Sequence, residues 1–450
     1  MAASLDRIAR TGSATGASAP PACNRLTVES ITRDQLADDY RRVRGATEAL
    51  TDGLSAEDQN LQSMPEASPV KWHRAHSSWF FESFVLADLD SGWKPVDPSY
   101  SYLFNSYYNG IGAQFPRPQR GLISRPDVAA VTEYRQAVDE ALIALISDCP
   151  DSRWLDLARL VRLGLNHEQQ HQELVVTDLK HCFSHNPLYP PWSSCPASGG
   201  DVAAVDWLGF EERIAEIGAA DDGRYCFDNE TPRHRQVVPA FELASRPVAC
   251  GEYLAFIEDG GYDDPDLWLS DGWTWLQDSG TRAPLYWQRD DDGRWWLYTL
   301  GGLRPVDPRE TLVHVSFYEA FAYARWAGAR LPTEAEWEVA ASSVDDAPGP
   351  LAEQGRFHPG PADSRETDGS TCGLIGNVWE WTASSYAPYP GFKAAPGAVG
   401  EYNGKFMANQ MVLRGGSCAT PAGHVRPTYR NFFYPPDRWQ FSGIRLARDA

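Results

Sequence analysis

Apolar residues recur every three or four positions through most of the first 185 residues, with charged residues between them. Four stretches carry this spacing: Arg33–Leu50, Ser68–Leu86, Asp127–Leu145 and Ser152–Phe183. Each predicts an amphipathic helix. Four helices with one long connection, Ala87–Arg125, predict a bundle with a crossover. That connection is rich in Tyr and Pro and is too long for a plain turn, so it is a candidate functional loop. The helical period stops at a Pro/Ser/Gly-rich stretch, Asn186–Gly200. Beyond it short strand-like runs alternate with Gly, Pro and Trp. Two helical segments are expected there, near Gly251–Asp259 and Ser316–Gly328. The chain therefore divides into a tail (1–30), a helical bundle (31–185), a linker (186–222) and an irregular α+β domain (223–450). No fixed-period repeat is present.

Composition narrows the function. An apolar fraction of 42% supports a buried core. The net charge of −21 opposes binding to nucleic acid, which needs a basic face. No apolar run reaches the roughly 18 residues of a membrane span. The Ala/Ser/Gly/Pro-rich N-terminus lacks a hydrophobic segment and reads as a disordered tail rather than a signal peptide. The 8 cysteines show no CxxC spacing, so a reducing, cytoplasmic setting is expected. The chain holds 17 Trp, 19 Tyr and 18 Phe, a surplus that suits pockets for organic cations.

The fourth helical stretch contains Asn166-His167-Glu168-Gln169-Gln170-His171-Gln172-Glu173. His167 and His171, four residues apart, point off one face, near Leu160, Leu163, Leu174 and Val175. That face looks into the bundle, where metal sites are built. A third inward candidate is His76, which shares a stripe with Trp72, Trp79 and Phe80. His73, beside Arg74, reads as peripheral. Three imidazoles suit Fe, Zn, Cu or Ni, so the ligand type does not select the metal. His167-Glu168-Gln169-Gln170-His171 also matches the H-E-x-x-H pattern of zinc proteases. In those enzymes the third ligand lies downstream. Here the best third histidine lies far upstream on another helix, which opposes that assignment.

The Trp-His-x-x-His helix, the Phe104-Asn105-Ser106-Tyr107-Tyr108 loop and the His-Glu-Gln-Gln-His-Gln-Glu helix resemble those of the ergothioneine-biosynthesis sulfoxide synthases. The second half is similar to the formylglycine-generating enzyme through four motifs: Gly328–Glu338, Gly376–Trp381, Leu413–Ser417 and Gly443–Ala447. The resemblance implies a DinB-like four-helix bundle followed by a formylglycine-generating-enzyme-like (C-type-lectin-like) domain. Most second-domain motifs have a structural reading. Thr333 and Glu336 form a capping box, Gly415-Gly416 permits a tight turn, and Trp379 and Trp381 alternate as strand residues do. Cys372 and Cys418 are the nearest counterparts of that enzyme's cysteines, and the ergothioneine branch does not use that chemistry.

The resemblance further implies Fe(II) held by His76, His167 and His171, and a reaction among hercynine, a thiol and O2 that forms a C–S bond and a sulfoxide. Gln170 matches a contact to the hercynine imidazole and Asn431 a contact to its betaine end, with Phe432 and Tyr402 completing that pocket. Tyr107 and Tyr108 match the paired tyrosines of the branch that uses free cysteine, and a phenol there delivers a proton. Arg117 and Arg120 are spaced like the arginines that hold the thiol substrate. In the branch using γ-glutamylcysteine an acidic residue stands two places after the betaine-contacting Asn. Here that place is Phe433, which favours cysteine. Three alternatives remain at this level. They are a selenoneine synthase on the same scaffold, a zinc-dependent thiol transferase or hydrolase, and a non-catalytic binder.

Overall fold

A computed structural model describes residues 24, 26–195, 202, 204–343, 348–362 and 373–450. Four long helices build the first domain: α1 (Arg33–Ala49), α2 (Val70–Phe81), α3 (Val128–Asp148) and α4 (Asp151–Ser184). Thr32 caps α1 through a capping box with Gln35, and the Asp127 carboxylate caps α3. The helical spacing thus located all four. The packed chain begins before residue 31, because Val28 and Ile31 are buried against the bundle. The rest of the expected tail, residues 1–23 and 25, lies outside the described residues.

Gly164 sets how closely α4 meets α2. A Cβ there would stand 2.3 Å from the Phe81 ring, so only glycine admits this ring between the helices. Beside it, Glu168 of α4 accepts from Arg44 of α1 (2.9 Å), Arg135 of α3 (3.0 Å) and Thr47 (2.7 Å). Arg44 also donates to Ser78 of α2 (2.8 Å). One buried carboxylate therefore ties all four helices together.

The second domain holds four small sheets. Strand β1 (Trp207–Phe210) pairs with β4 (Phe241–Ala244), which also pairs with β12 (Ala447–Asp449). Strand β2 (Arg213–Ile217) pairs with β3 (His234–Val238), and β5–β6–β7 span Trp287–Arg289, Trp295–Thr299 and Gly302–Pro305. The fourth sheet has the order β10-β9-β8-β11, with β8 at Trp379–Ser385, β9 at Met411–Arg414, β10 at Asn431–Phe433 and β11 at Ser442–Gly443. Strands β1 and β2 fall inside the expected linker. Their partners arrive later in the chain, so local sequence gave no sign of them.

Among the described residues this domain has four helices of nine or more residues, not two: Cys250–Glu258, Ser270–Ser279, Phe317–Trp326 and Glu334–Ser343. The second was missed because Gly272 and two tryptophans mask its period. Gly280, at φ 64°, ends it in the left-handed region. The motifs serve the fold. Thr333 and Glu336 form the expected box (3.2 and 2.7 Å), and Arg445 pairs with Glu380 (2.8 Å). Arg414 pairs with Glu338 (3.0 Å), and both Trp379 and Trp381 are buried. No described helix is long and apolar enough to cross a membrane.

The domains meet along α4. Glu173 accepts from Trp379 Nε1 (2.8 Å), Ser417 Oγ (2.5 Å) and Thr420 Oγ1 (2.7 Å). Gly415 and Gly416, at φ 101° and 84°, make the turn that delivers Ser417. Cys418 follows it into an apolar cluster with Val176, Val313 and Phe441, where burial pushes its thiol pKa up. Cys372 lies outside the described residues.

Removing the Glu168 carboxylate (Glu168→Ala) leaves Arg44 with Asp139 (2.7 Å) and Arg135 with Glu48 (2.6 Å) but unpairs the donors that faced Glu168, at an expected cost of about 1–3 kcal/mol. The two arginines hold the Glu168 carboxyl at about 2, below its ordinary 4.5. A depressed folded-state value stabilises fully above 4.5, and that contribution is lost as pH falls toward 2. Urea midpoints measured across pH 6 to 3 should fall less steeply for Glu168→Ala than for the native chain. Equal slopes would remove Glu168 from the acid response.

Candidate metal centre

His76 on α2 and His167 and His171 on α4 bring their Nε2 atoms together. His76 Nε2 and His171 Nε2 each lie 3.1 Å from His167 Nε2. Among the described residues this is the one group of three or more His, Cys, Asp or Glu side chains spaced to hold an ion. Burial, reinforced by the neighbouring histidines, holds all three well below the ordinary imidazole pKa, so they are neutral.

Hydrogen bonds fix which nitrogen is free. His76 Nδ1–H donates to the Phe104 carbonyl (2.5 Å), leaving the Nε2 lone pair pointing inward. His73 Nε2–H donates to the Asp178 carboxylate (3.0 Å), so His73 Nδ1 accepts from His171 Nδ1–H (2.8 Å). His171 Nε2 is thereby also free. Metal–nitrogen bonds of about 2.0–2.2 Å put neighbouring ligand nitrogens about 3 Å apart, which the spacing here matches. Three neutral donors with converging lone pairs fit a divalent transition metal.

One sequence expectation changes. His73 is not peripheral. It is buried and, with Asp178 and the Ser68 amide behind it (2.8 Å), orients His171. Its partner lies 105 residues away on another helix, which no local pattern reveals. Glu168, the would-be general base of the H-E-x-x-H pattern, points away from the triad into the arginine cluster described above.

Aromatic rings wall the centre. Trp72 stacks on His76 (4.5 Å between centroids), Trp79 lies 5.4 Å from it, and Phe80 sits 4.4 Å from His167. Tyr108 is buried between Trp79 (5.7 Å) and Phe84 (5.0 Å), with Tyr107 stacked on it (4.6 Å). The Tyr108 hydroxyl has no partner of normal hydrogen-bond geometry among the described residues. Burial raises the pKa of both phenols, so both keep their protons. Arg120 lies 3.4 Å over the Trp72 ring, donates to Ser68 Oγ (2.9 Å) and makes no ion pair among the described residues. Arg117 is exposed and donates to the Glu66 carbonyl.

The second domain closes the other side. Tyr402 sits 5.6 Å from His167 and donates to Gln170 Oε1, while Gln170 Nε2 donates to Tyr429 (2.5 Å). Tyr429 bonds His424 Nε2 (3.2 Å), and His424 Nδ1 bonds Asn166 (3.2 Å). Asn166 and Gln170 are thus a second i, i+4 pair, turned toward this domain. Tyr429 and His424 were not singled out in the sequence. Asn431 opens β10, and its side chain accepts from the Phe432 amide (2.9 Å). Phe432 stacks on Tyr386 (4.0 Å) and faces Phe406 (6.0 Å), whose edge meets Tyr107 (5.1 Å). A cavity of about 440 Å³ opens on the seam and is lined by Tyr402, Phe227, Asp228 and Asn403. A larger one of about 530 Å³, between β3 and the Phe317–Trp326 helix, touches none of these residues.

Comparison with known proteins finds a match for each half of the chain. Residues 39–175 match the DinB superfamily, and residues 211–362 and 354–450 match the sulfatase-modifying factor enzyme 1-like domain. The chain is 32% identical to the hercynine oxygenase of Mycolicibacterium thermoresistibile, over 93% of this chain and 95% of the relative. The same identity holds to the hercynine oxygenase of Mycobacterium tuberculosis, over 92% of this chain and 99% of that one. The chain belongs to the hercynine oxygenase family. Its second half is also 29% identical to the formylglycine-generating enzyme of Streptomyces coelicolor, over 52% of this chain and 86% of the relative. As a hercynine oxygenase family member, the chain is a metal-dependent oxygenase of ergothioneine biosynthesis.

Substituting any of His76, His167 or His171 with Ala should abolish stable metal binding. His73→Ala keeps all three ligands but frees the His171 ring, and should weaken metal affinity by roughly 10–100-fold. Competition titration against a chelator measures both. Native affinity in His73→Ala would reduce His73 to a packing residue.

Proposed function

We propose that this oxygenase joins the sulfur of cysteine to C2 of the hercynine imidazole and oxidises that sulfur to the sulfoxide, using iron(II) and O2. One O2 accepts the four electrons. One oxygen atom remains on sulfur, and the other leaves as water with the thiol proton and the C2 proton. The observation that carries the proposal is the meeting of three neutral Nε2 donors with a seam where Gln170 of α4 is held by Tyr402 of the second domain. When bound, iron supplies a common centre for thiolate and O2, and it lowers the thiol pKa.

The chain's residues do the rest. Gln170, held between Tyr402 and Tyr429, offers a fixed amide to the hercynine imidazole. Asn431, Phe432 and Tyr402 receive its betaine end, whose trimethylammonium donates no hydrogen bonds and favours aromatic faces. Arg120, a buried guanidinium without an anion, receives the cysteine carboxylate, with Arg117 nearer the surface. The Tyr107 and Tyr108 hydroxyls hold a proton beside the centre. Bringing the reactants together replaces an improbable three-body encounter. A zinc-protease mechanism lacks its base, since Glu168 is bound to two arginines.

The choice of cysteine rests on Phe433. Its ring packs edge-on to Trp439 (5.8 Å) and offers no charge to the amino group of a longer donor. Steady-state rates with hercynine should give a higher kcat/KM for cysteine than for γ-glutamylcysteine, and the reverse order would overturn the assignment of the thiol. Tyr107→Phe should slow sulfoxide formation by roughly 10²–10⁴-fold and divert cysteine to its sulfinic acid. A native rate and product in Tyr107→Phe would leave that phenol a packing role.

A further inference from the structure

Asp228 stands half-buried on the wall of the seam cavity, in a setting that calls for a cation. Asn403 Nδ2 donates to its Oδ1 (2.7 Å), and among the described residues the carboxylate makes no ion pair. The cavity wall combines aromatic rings with the side chains of Arg159, Arg162 and Arg224, none of which pairs with Asp228 among the described residues. Phe227 and Tyr402 stack 5.5 Å apart, and both line the same cavity. Burial pushes the Asp228 pKa up, and no cation stands among the groups that act on it most strongly. A carboxylate withdrawn from water without a counter-charge is costly, so such a group implies a cationic ligand.

The fold ties this carboxylate to the pocket already described. Arg430 Nη1 donates to the Asn229 carbonyl (3.0 Å), and Asn229 Nδ2 contacts the Arg430 carbonyl (3.3 Å). Asn229 also donates to Tyr386 (2.9 Å), the ring stacked on Phe432. The Asp228 turn is therefore clamped to the residue that precedes Asn431. Nearby rings that could hold a cation are already engaged. The Arg426 guanidinium lies 5.4, 5.5 and 5.3 Å from Tyr225, Phe227 and Tyr429 and is neutralised by Glu230. Tyr402 and Asp228 line the same cavity, so an aromatic ring and a carboxylate without an ion-pair partner among the described residues occur together there.

We infer that Asp228 is the counter-ion for the quaternary ammonium of the substrate, with Tyr402 contacting its methyl groups. The inference rests on hercynine being the substrate. Asp228→Asn keeps the shape and the Asn403 neighbour while removing the charge. Calorimetric binding is measured anaerobically without thiol, so that no turnover occurs, using hercynine and imidazole propionate, which has the ring and carboxylate but no ammonium. Thermal melting checks the fold of the variant. The expected result is native binding of imidazole propionate and a loss of about 10–100-fold for hercynine. Hercynine affinity within threefold of native overturns the role of Asp228 and leaves the function intact. Equal losses for both ligands also overturn it, by showing a structural role. If the native protein binds no hercynine, the functional proposal falls and this one falls with it. Asp228→Glu adds a second check, because a retained charge on a longer arm should recover part of the hercynine affinity and none of any fold defect.

Discussion

A buried carboxylate between two arginines is stable only while all three stay together, and here that condition fixes the rotation of the 34-residue helix α4. Glu168 faces Arg44 and Arg135, and Gln172, one turn on, donates to the Val43 carbonyl (2.9 Å). With that face committed, the others follow from about 100° per residue. His167 and His171 turn to α2 and the metal centre. Asn166, Gln170 and Glu173 turn to the second domain. A slip of one residue would move every one of these groups off its partner.

The helix is thus a shared wall. The bundle supplies all three metal donors, and the second domain supplies Tyr402, Tyr429 and His424 along the same helix. The crossover loop joins this seam too. Asn109 and Gly110 amides donate to Glu401 (3.0 and 2.7 Å), and Lys405 donates to the Tyr107 carbonyl. The Tyr107–Gly110 segment of that loop is therefore anchored to the second domain. The bundle supplies aromatic walls of its own in Trp72, Trp79 and Phe80, and the second domain adds Tyr402, while charges such as Arg414 and Arg445 are spent on that domain's fold.

Charge is used sparingly around the centre. The three ligands are neutral, the nearest phenols keep their protons, and the buried ionic groups are mostly paired. Arg120 and Asp228 are two groups without an ion pair among the described residues, one cation and one carboxylate, and under the proposed function they receive charged groups of the substrates. Lys180 shows the opposite case. It is fully buried with His314 Nε2 at 2.7 Å, and burial brings its pKa down to about 8, yet it sits against Tyr286 and Phe441, away from the triad.

The sequence by itself determined what depends on period and local spacing. The four bundle helices, the i, i+4 pair His167 and His171, the inward stripe of His76 and the Thr333–Glu336 box are all written within a few turns of chain. The motifs also gave the two-domain order and its resemblance. Only the tertiary structure decided the roles of residues whose partners are distant. His73 looked peripheral until Asp178 stood behind it, Glu168 had no assigned role until Arg44 and Arg135 claimed it, and β1 and β2 looked like linker until β4 and β3 paired with them. Tyr429, His424 and Asp228 had no local signature at all. The reason is physical: side-chain direction along a helix is fixed by geometry the sequence carries, whereas what that side chain meets is set by packing among segments hundreds of residues apart.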